Sequence, residues 1–249
     1  MKRVPAPGAK INITADGRRV DTANLGFTTS PHEECAVEAA AQVIEQHGGE
    51  ATVLTLGPAE AAEQVRYAVS VGMQHGVVLP IEGDDWDPQR TARAITAAIR
   101  DLEADGDPFD LILFGNESAD SGGFQVGIRV AHALGRPMVN GAKGLAVSDG
   151  AAHVEREADA GREAYALPLP AVVGVKEGIN LPRYPTMKGR LASKKAQVAT
   201  MDPAGDAGGL STISLQPPPE RKTQTRILGE GPDAAAAVVD VLEELGVLS

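Results

Sequence analysis

The sequence has a single cysteine, Cys35. It therefore holds no internal disulfide and is not one of the small secreted folds stapled by them. Aromatic residues are scarce: four Phe, three Tyr and one Trp in 249 residues. The core must be built from Ala, Val, Leu and Ile, which suits helices layered on a buried sheet. Positive charge is in deficit. Lys and Arg number 23 against 34 Asp and Glu, a net charge of −11. Phosphate backbones and anionic lipid repel such a surface, so nucleic acid is excluded as the main partner. No apolar run approaches the ~20 residues of a membrane span, and no membrane insertion is expected. The opening Met1-Lys2-Arg3-Val4-Pro5 lacks the apolar stretch of a secretory signal. The expectation is a soluble, acidic, cytoplasmic protein of about one to one and a half domains.

What is present is an alternating pattern between about residues 30 and 145. Ser30-Pro31-His32-Glu33 reads as a helix start, with Ser30 as N-cap, Pro31 at the first helical position and Glu33 completing a capping box. Val37, Ala40, Ala41 and Ile44 continue as an apolar stripe, and Gly48-Gly49 ends it. Residues 51–56 and 76–80 read as short apolar strands, each followed by a helix at 3.6-residue period. The run Asp110 to Phe114 is apolar enough for the middle of a parallel sheet. This β-α-β-α order predicts a Rossmann-like parallel sheet flanked by helices, an α/β fold. Beyond residue 145 the pattern changes. Residues 152–156 and 163–167 predict a hairpin around Asp159-Ala160-Gly161, and 171–175 a buried strand. Residues 202–232, rich in Pro and Gly, read as an extended arm before a last helix carrying Val238, Val241, Leu242 and Leu245. The expected division is an α/β domain over 1–200 and an arm with a terminal helix over 201–249.

The loop from Gly115 to Gln125 follows a strand and precedes a helix. In open parallel sheets ligands bind outside the carboxyl ends of strands, and a helix N-terminus offers free N–H groups to a phosphate. The loop matches neither the P-loop nor the dinucleotide pattern. A nucleotide site and an ordinary connection both remain open. Ser30 to Glu33 and the Leu56-Gly57-Pro58 turn are further strand-end positions, each sufficiently explained as a cap or a turn. No catalytic set emerges. His32, His47, His75, His132 and His153 stand at no metal-binding spacing, and Cys35 reads as a small buried residue. Asp84, Asp85 and Asp87 read as a solvated loop and a helix cap rather than a cation site. The basic stretch from Arg183 to Lys195 carries Pro182, Pro185 and Gly189, which favour an exposed loop over a helix.

Taken in order, these motifs resemble the beta subunits of electron-transfer flavoproteins and their FixA-type relatives. The resemblance covers nearly the whole chain. It rests on Lys2-Arg3-Val4-Pro5, on the run from Ser30 to Ala39, on Thr52 to Pro58 and on Asp110 to Gly127. Its most specific part is Val154-Glu-Arg-Glu, Gly161-Arg-Glu and Leu167-Pro-Leu-Pro170, followed by Asn180-Leu-Pro-Arg-Tyr-Pro-Thr-Met-Lys-Gly189 and Lys194-Lys195.

The resemblance implies an adenine-nucleotide-hydrolase-like fold and a heterodimer with an alpha subunit. FAD sits mainly on that partner, this chain covers one side of it, and a structural AMP binds here. Electrons pass from acyl-CoA or similar dehydrogenases to a quinone oxidoreductase, without substrate turnover by this chain itself. Nucleotide contacts are implied at Ser30, Pro31, His32, Glu33, Leu56, Gly57, Asp120, Gly122, Gly123, Phe124, Gln125 and Val126. Of these, His32 stands where the family has an aromatic beside the flavin. Partner recognition is implied at Arg183, Tyr184, Met187, Lys188 and Arg190, with Met187 at the tip. The chain departs from the family's Asn-Pro-aromatic at Ser30-Pro31-His32. It also lacks a polar residue at Phe124 and a hydroxyl at Val126. The family's apolar first strand precedes its Lys-Arg-Val-Pro, whereas Met1 stands directly before Lys2. Because losing a buried strand leaves backbone groups unpaired, a start upstream of Met1 is the expectation. Two alternatives remain: an electron-bifurcating relative with a second FAD in this site, and a nucleotide-sensing module without electron transfer.

Overall fold

The computed structural model describes every residue except 84, 105, 206–208, 220–224 and 249. The chain forms two compact units, Met1–Leu215 and Gln216–Ser249. The first opens with β1 (Arg3–Pro5), β2 (Asn12–Ile13), β3 (Val20–Asp21) and β4 (Phe27–Thr29). Strand β1 pairs antiparallel with β4, and β2 with β3. Helix α1 follows over Pro31–His47, with Ser30 as its N-cap and Pro31 in the first turn. The Glu33 carboxylate accepts from the Ser30 N–H at 3.4 Å, the reach-back expected of a capping box.

The alternating part then unfolds as β5 (Thr52–Gly57), α2 (Ala62–Ser70), β6 (His75–Pro80), α3 (Pro88–Ala104), β7 (Leu111–Gly115) and α4 (Val126–Leu134). Beyond it lie β8 (Met138–Ser148), β9 (Ala151–Ala158), β10 (Gly161–Pro168), β11 (Ala171–Val175), α5 (Met187–Lys195) and β12 (Val198–Thr200). Two sheets result, a five-stranded one in the order β10-β9-β8-β11-β7 and a three-stranded one in the order β12-β6-β5. Pairings β5–β6, β6–β12, β7–β11 and β8–β11 are parallel. The predicted hairpin is β9–β10, and with β8 it extends the parallel core as an antiparallel meander.

Strand β7 differs from expectation. Its apolar sequence predicted a mid-sheet position, but among the described residues it is the outermost strand of its sheet, paired with β11 alone, and it is half-buried throughout. The fully buried strand is β11, which lies between β8 and β7 and is buried at all five residues. Strand β5, at the edge of the other sheet, is met by Met1. The Met1 amino group donates to the Leu54 carbonyl at 2.8 Å, and Thr55 Oγ1 donates to the Met1 carbonyl at 2.7 Å.

Helix α1 serves both halves of the core. Cys35 and Ala36 pack with Val139, Val154, Val173 and Val175, while Val37 and Ala41 pack with Val53, Val65, Ala68 and Val78. A third cluster joins Val77 and Leu79 to Ile95, Ile99 and Val130 of α3 and α4. Each such Val, Leu or Ile contributes about 1.5–3 kcal/mol by leaving water.

The stretch predicted as an exposed loop contains a helix. Pro182 and Pro185 both precede α5, where proline breaks nothing. Thr186 caps it, its Oγ1 accepting from the Gly189 N–H at 3.0 Å. A Cβ on Gly189 would lie 2.0 Å from the Ser70 carbonyl oxygen at the end of α2. Glycine there permits a close helix contact rather than breaking the helix. In the second unit, α6 (Ala235–Glu244) carries the predicted Val238, Val241 and Leu242 stripe, and none of its residues is buried.

Candidate functional site

A cleft opens beyond the carboxyl ends of β5, β6 and β7, where a parallel sheet presents its ligands. Its apolar wall comes from the strand ends and the facing helices: Leu56, Ile81, Ile95, Phe114 and Val126. At its base β7 passes very close to the start of α1. A Cβ on Gly115 would lie 2.5 Å from Glu33 Cγ, so only glycine fits.

Two polar side chains stand at this base. Glu33 is 8% exposed, and besides the Ser30 N–H it accepts from Ser30 Oγ at 3.2 Å. Burial pushes its carboxyl above the ordinary range, outweighing these hydrogen bonds. Asn116 donates its backbone N–H to the Val175 carbonyl at 2.8 Å, while its buried Oδ1 has no hydrogen-bond partner. Among the described residues that oxygen lacks a donor, which is costly for a buried amide, and Asn116 is one of the residues lining the cleft.

The loop into α4 is tightly wound. The Gly122 N–H donates to the Ser118 carbonyl at 2.9 Å, and the Ser118 and Ser121 hydroxyls share a 2.7 Å hydrogen bond. Gly122 and Phe124 both have positive φ, 54° and 53°. For a phenylalanine this is strained backbone, of the kind concentrated at ligand clamps. No side chain caps α4. Gln125 turns its Oε1 to Arg129 instead, at 3.0 and 3.2 Å. The first N–H groups of α4 are thereby left for a ligand.

Charge is concentrated at the rim. Lys2 Nζ lies 2.5 Å from Asp120 Oδ2 and 3.2 Å from Asp85 Oδ2, and so ties together the loops that follow β6 and β7. Burial pushes the Lys2 ammonium down, but the two carboxylates outweigh it and hold it above its ordinary value. Burial likewise raises Asp120, and the Lys2 contact overturns this, keeping it below the usual carboxylate range. Trp86 forms the rim beside Asp85, with the Arg90 guanidinium carbon 3.5 Å from its ring centroid.

Of the sequence-predicted nucleotide residues, Glu33, Leu56, Gly123, Phe124, Gln125 and Val126 line the cleft. Ser30, Pro31, His32, Gly57, Asp120 and Gly122 stand behind or beside it. Ser30 Oγ lies 3.4 Å from the Glu117 carbonyl. His32 is held from two sides: Nδ1 accepts from the Glu177 N–H at 2.8 Å, and Nε2 lies 3.4 Å from Glu117 Oε1. A ring nitrogen that accepts fixes the tautomer, with the proton on Nε2. Sequence reasoning missed Lys2, Trp86 and Asn140 as lining residues, and it placed Asn116 in the candidate loop without singling it out. The scarcity of tryptophan was the one signal that could have pointed to Trp86. Asp84 lies outside the described residues. Asp85 is occupied by Lys2, and among the described residues no group of three or more His, Cys, Asp or Glu is placed to hold a metal.

The predicted recognition residues divide. Tyr184 is 90% and Met187 74% exposed; with the exposed Leu181 and Leu191 they make an apolar surface around the start of α5. Lys188 and Arg190 are exposed beside it. Arg183 behaves differently, because its charge is already taken up. Its Nε and backbone N–H donate to Glu38 Oε2 at 2.8 and 3.1 Å, and its Nη2 to Glu38 Oε1 at 3.0 Å. Nη1 and Nη2 also bond the Glu45 carboxylate. Arg183 thus straps the segment to α1 instead of presenting a free cation.

Comparison with known proteins completes this picture. The electron transfer flavoprotein domain matches residues 19–206. The chain is 34% identical over 224 residues to the electron transfer flavoprotein subunit beta of Syntrophomonas wolfei, covering 89% of this chain and 85% of that protein. It is 31% identical over 251 residues to the subunit of that name from Bacillus subtilis, covering 97% and 95%. The human protein of the same name is 30% identical over 255 residues, covering 99% and 96%. Among the described residues no helix is long and apolar enough to cross a membrane.

Proposed function

The chain belongs to the electron transfer flavoprotein family, among its beta subunits, and from that premise we propose that it is the beta half of a cytoplasmic two-subunit electron carrier. It binds one AMP as a structural ligand, covers one side of the FAD held by an alpha subunit, and docks dehydrogenases that deliver electrons bound for a quinone oxidoreductase. It turns over no substrate of its own.

The observation that carries this reading is the cleft. Its apolar wall suits a purine, and the Asn116 and Asn140 amides along it suit the polar groups of a ring or ribose. The uncapped start of α4 suits one phosphate, since helix N–H groups and the helix dipole favour an anion. The loss of side-chain donors at Phe124 and Val126 leaves these backbone contacts intact. FAD, when bound to the partner, supplies the redox chemistry. This chain's part is to bury and orient it with the segment at Ser30, Pro31 and His32. The hydrogen bond from Glu177 keeps the His32 ring from turning.

Docking falls to the exposed surface of Leu181, Tyr184, Met187 and Leu191, about which Lys188 and Arg190 steer an acidic dehydrogenase of the acyl-CoA type. A flexible thioether at Met187 suits partners of varied shape. Co-expression with a flavoprotein alpha subunit tests the reading. A yellow 1:1 complex is the expected product, and failure of the two chains to associate overturns it.

A further inference from the structure

Aromatic side chains are spread thinly through this protein, eight in the whole sequence. Three of them, Trp86, Phe114 and Phe124, line the one cleft described above. Trp86 is the only tryptophan, and Phe124 is held in strained backbone at the loop's tip. Phe114 and Trp86 pack by one side against the third core cluster, yet Trp86 is only half-buried at the rim and Phe124 is 47% exposed. Trp86 is also held in place. The Arg90 guanidinium stacks on it at 3.5 Å, and Arg90 itself is fixed in the first turn of α3, where Asp87 Oδ1 accepts its N–H at 3.2 Å. A cation over an indole face restrains the ring and so reduces the cost of ordering it around a ligand.

The charges at the rim point the same way. Asp85 and Glu117 line the opening and Asp120 stands beside it, and Lys2 is already bonded to Asp85 and Asp120. At this rim a phosphate gains little beyond the free N–H groups at the start of α4, whereas a planar ring gains the aromatic wall.

We propose that Trp86 is a ligand-binding residue of this cleft, stacking on the planar heteroaromatic ring of the bound nucleotide, so that the ring rather than the phosphate carries most of the affinity. The proposal rests on the reading of this cleft as a nucleotide site and adds to it the residue and the part of the ligand that matter most.

The sole tryptophan makes the test direct. The full chain is titrated with AMP, adenosine and ribose 5-phosphate, following intrinsic fluorescence and binding heat together. AMP and adenosine should both quench Trp86 and bind within about tenfold of each other, while ribose 5-phosphate should not compete. Trp86→Leu should weaken adenosine binding by about tenfold or more, the range for losing one base–aromatic stack. Trp86→Phe, which keeps a ring, should recover most of it. The wild-type quench needs no variant, so a poorly folded Trp86→Leu does not spoil the test. AMP binding without quenching, unchanged affinity in Trp86→Leu, or ribose 5-phosphate competing as well as adenosine overturns ring recognition while leaving the nucleotide site standing. Failure of the wild-type chain to bind any adenine compound overturns both.

Discussion

Replacing Arg183 with alanine tests how the recognition segment is held. In the folded protein the Arg183 guanidinium forks between Glu38 and Glu45 on α1, and its backbone N–H adds a further bond to Glu38. The Glu38 side chain is 6% exposed and that of Arg183 35%. Removing one partner of a buried pair leaves the other charge stranded, at a cost of about 3–5 kcal/mol. Partial exposure of the arginine lowers this, and the open Glu45 contributes little. We expect a loss of about 2–3 kcal/mol, or a fall of roughly 5–10 °C in the melting temperature of a unit this size. Arg183→Lys should restore only part, because a point charge cannot reproduce the fork. Glu38→Gln combined with Arg183→Ala should recover about half, since no charge is then left buried.

The effect has a definite pH window. Burial raises Glu38, but hydrogen bonds from Arg183 and Gln42 prevail and hold it below its ordinary 4.5. Glu45 is lowered chiefly by its Arg183 hydrogen bond. Both are depressed in the folded state, so the network is at full strength above the unfolded value and is lost as pH falls through the folded ones. Wild type and Arg183→Ala should therefore differ most in melting temperature near neutrality and converge in acid. Equal melting temperatures at pH 7 would refute the strap.

Two further substitutions bear on the same segment. Gly189→Ala should destabilise by about 1–3 kcal/mol in thermal melts. In an exposed helix alanine would stabilise by nearly 1 kcal/mol, so the sign of the change reports the contact with Ser70. Lys188→Glu should slow association with a dehydrogenase by about three- to tenfold at low salt with little change in dissociation. Stopped-flow association rates insensitive to both the substitution and the salt would remove Lys188 from the steering role.

The sequence made some of this legible for plain physical reasons. Helix α1 announced itself because its signals are local: a capping Ser30, Pro31 in the first turn, Glu33 reaching back, and a terminal Gly48. The hairpin at Asp159-Ala160 and the buried β11 are equally local. Helix α5 was not legible, because Gly189 answers to Ser70 on another helix and not to its own neighbours. The sequence shows no partner for Arg183, because Glu38 lies 145 residues away in the chain. The cleft was half legible. Glu33, Leu56 and the loop from Gly115 to Gln125 sit in recognisable strand-end positions, whereas Lys2, Trp86 and Asn140 come from separate segments that only the fold brings together.

The central claim is that this chain carries a structural nucleotide and shares a flavin with a partner. The most direct test is to purify it together with its alpha subunit, release the small molecules by heat and count them by chromatography. One FAD and one AMP per heterodimer is the predicted result. Two FAD would contradict it by making this chain's site redox active, and FAD without any AMP would contradict it by leaving the cleft with no nucleotide to hold.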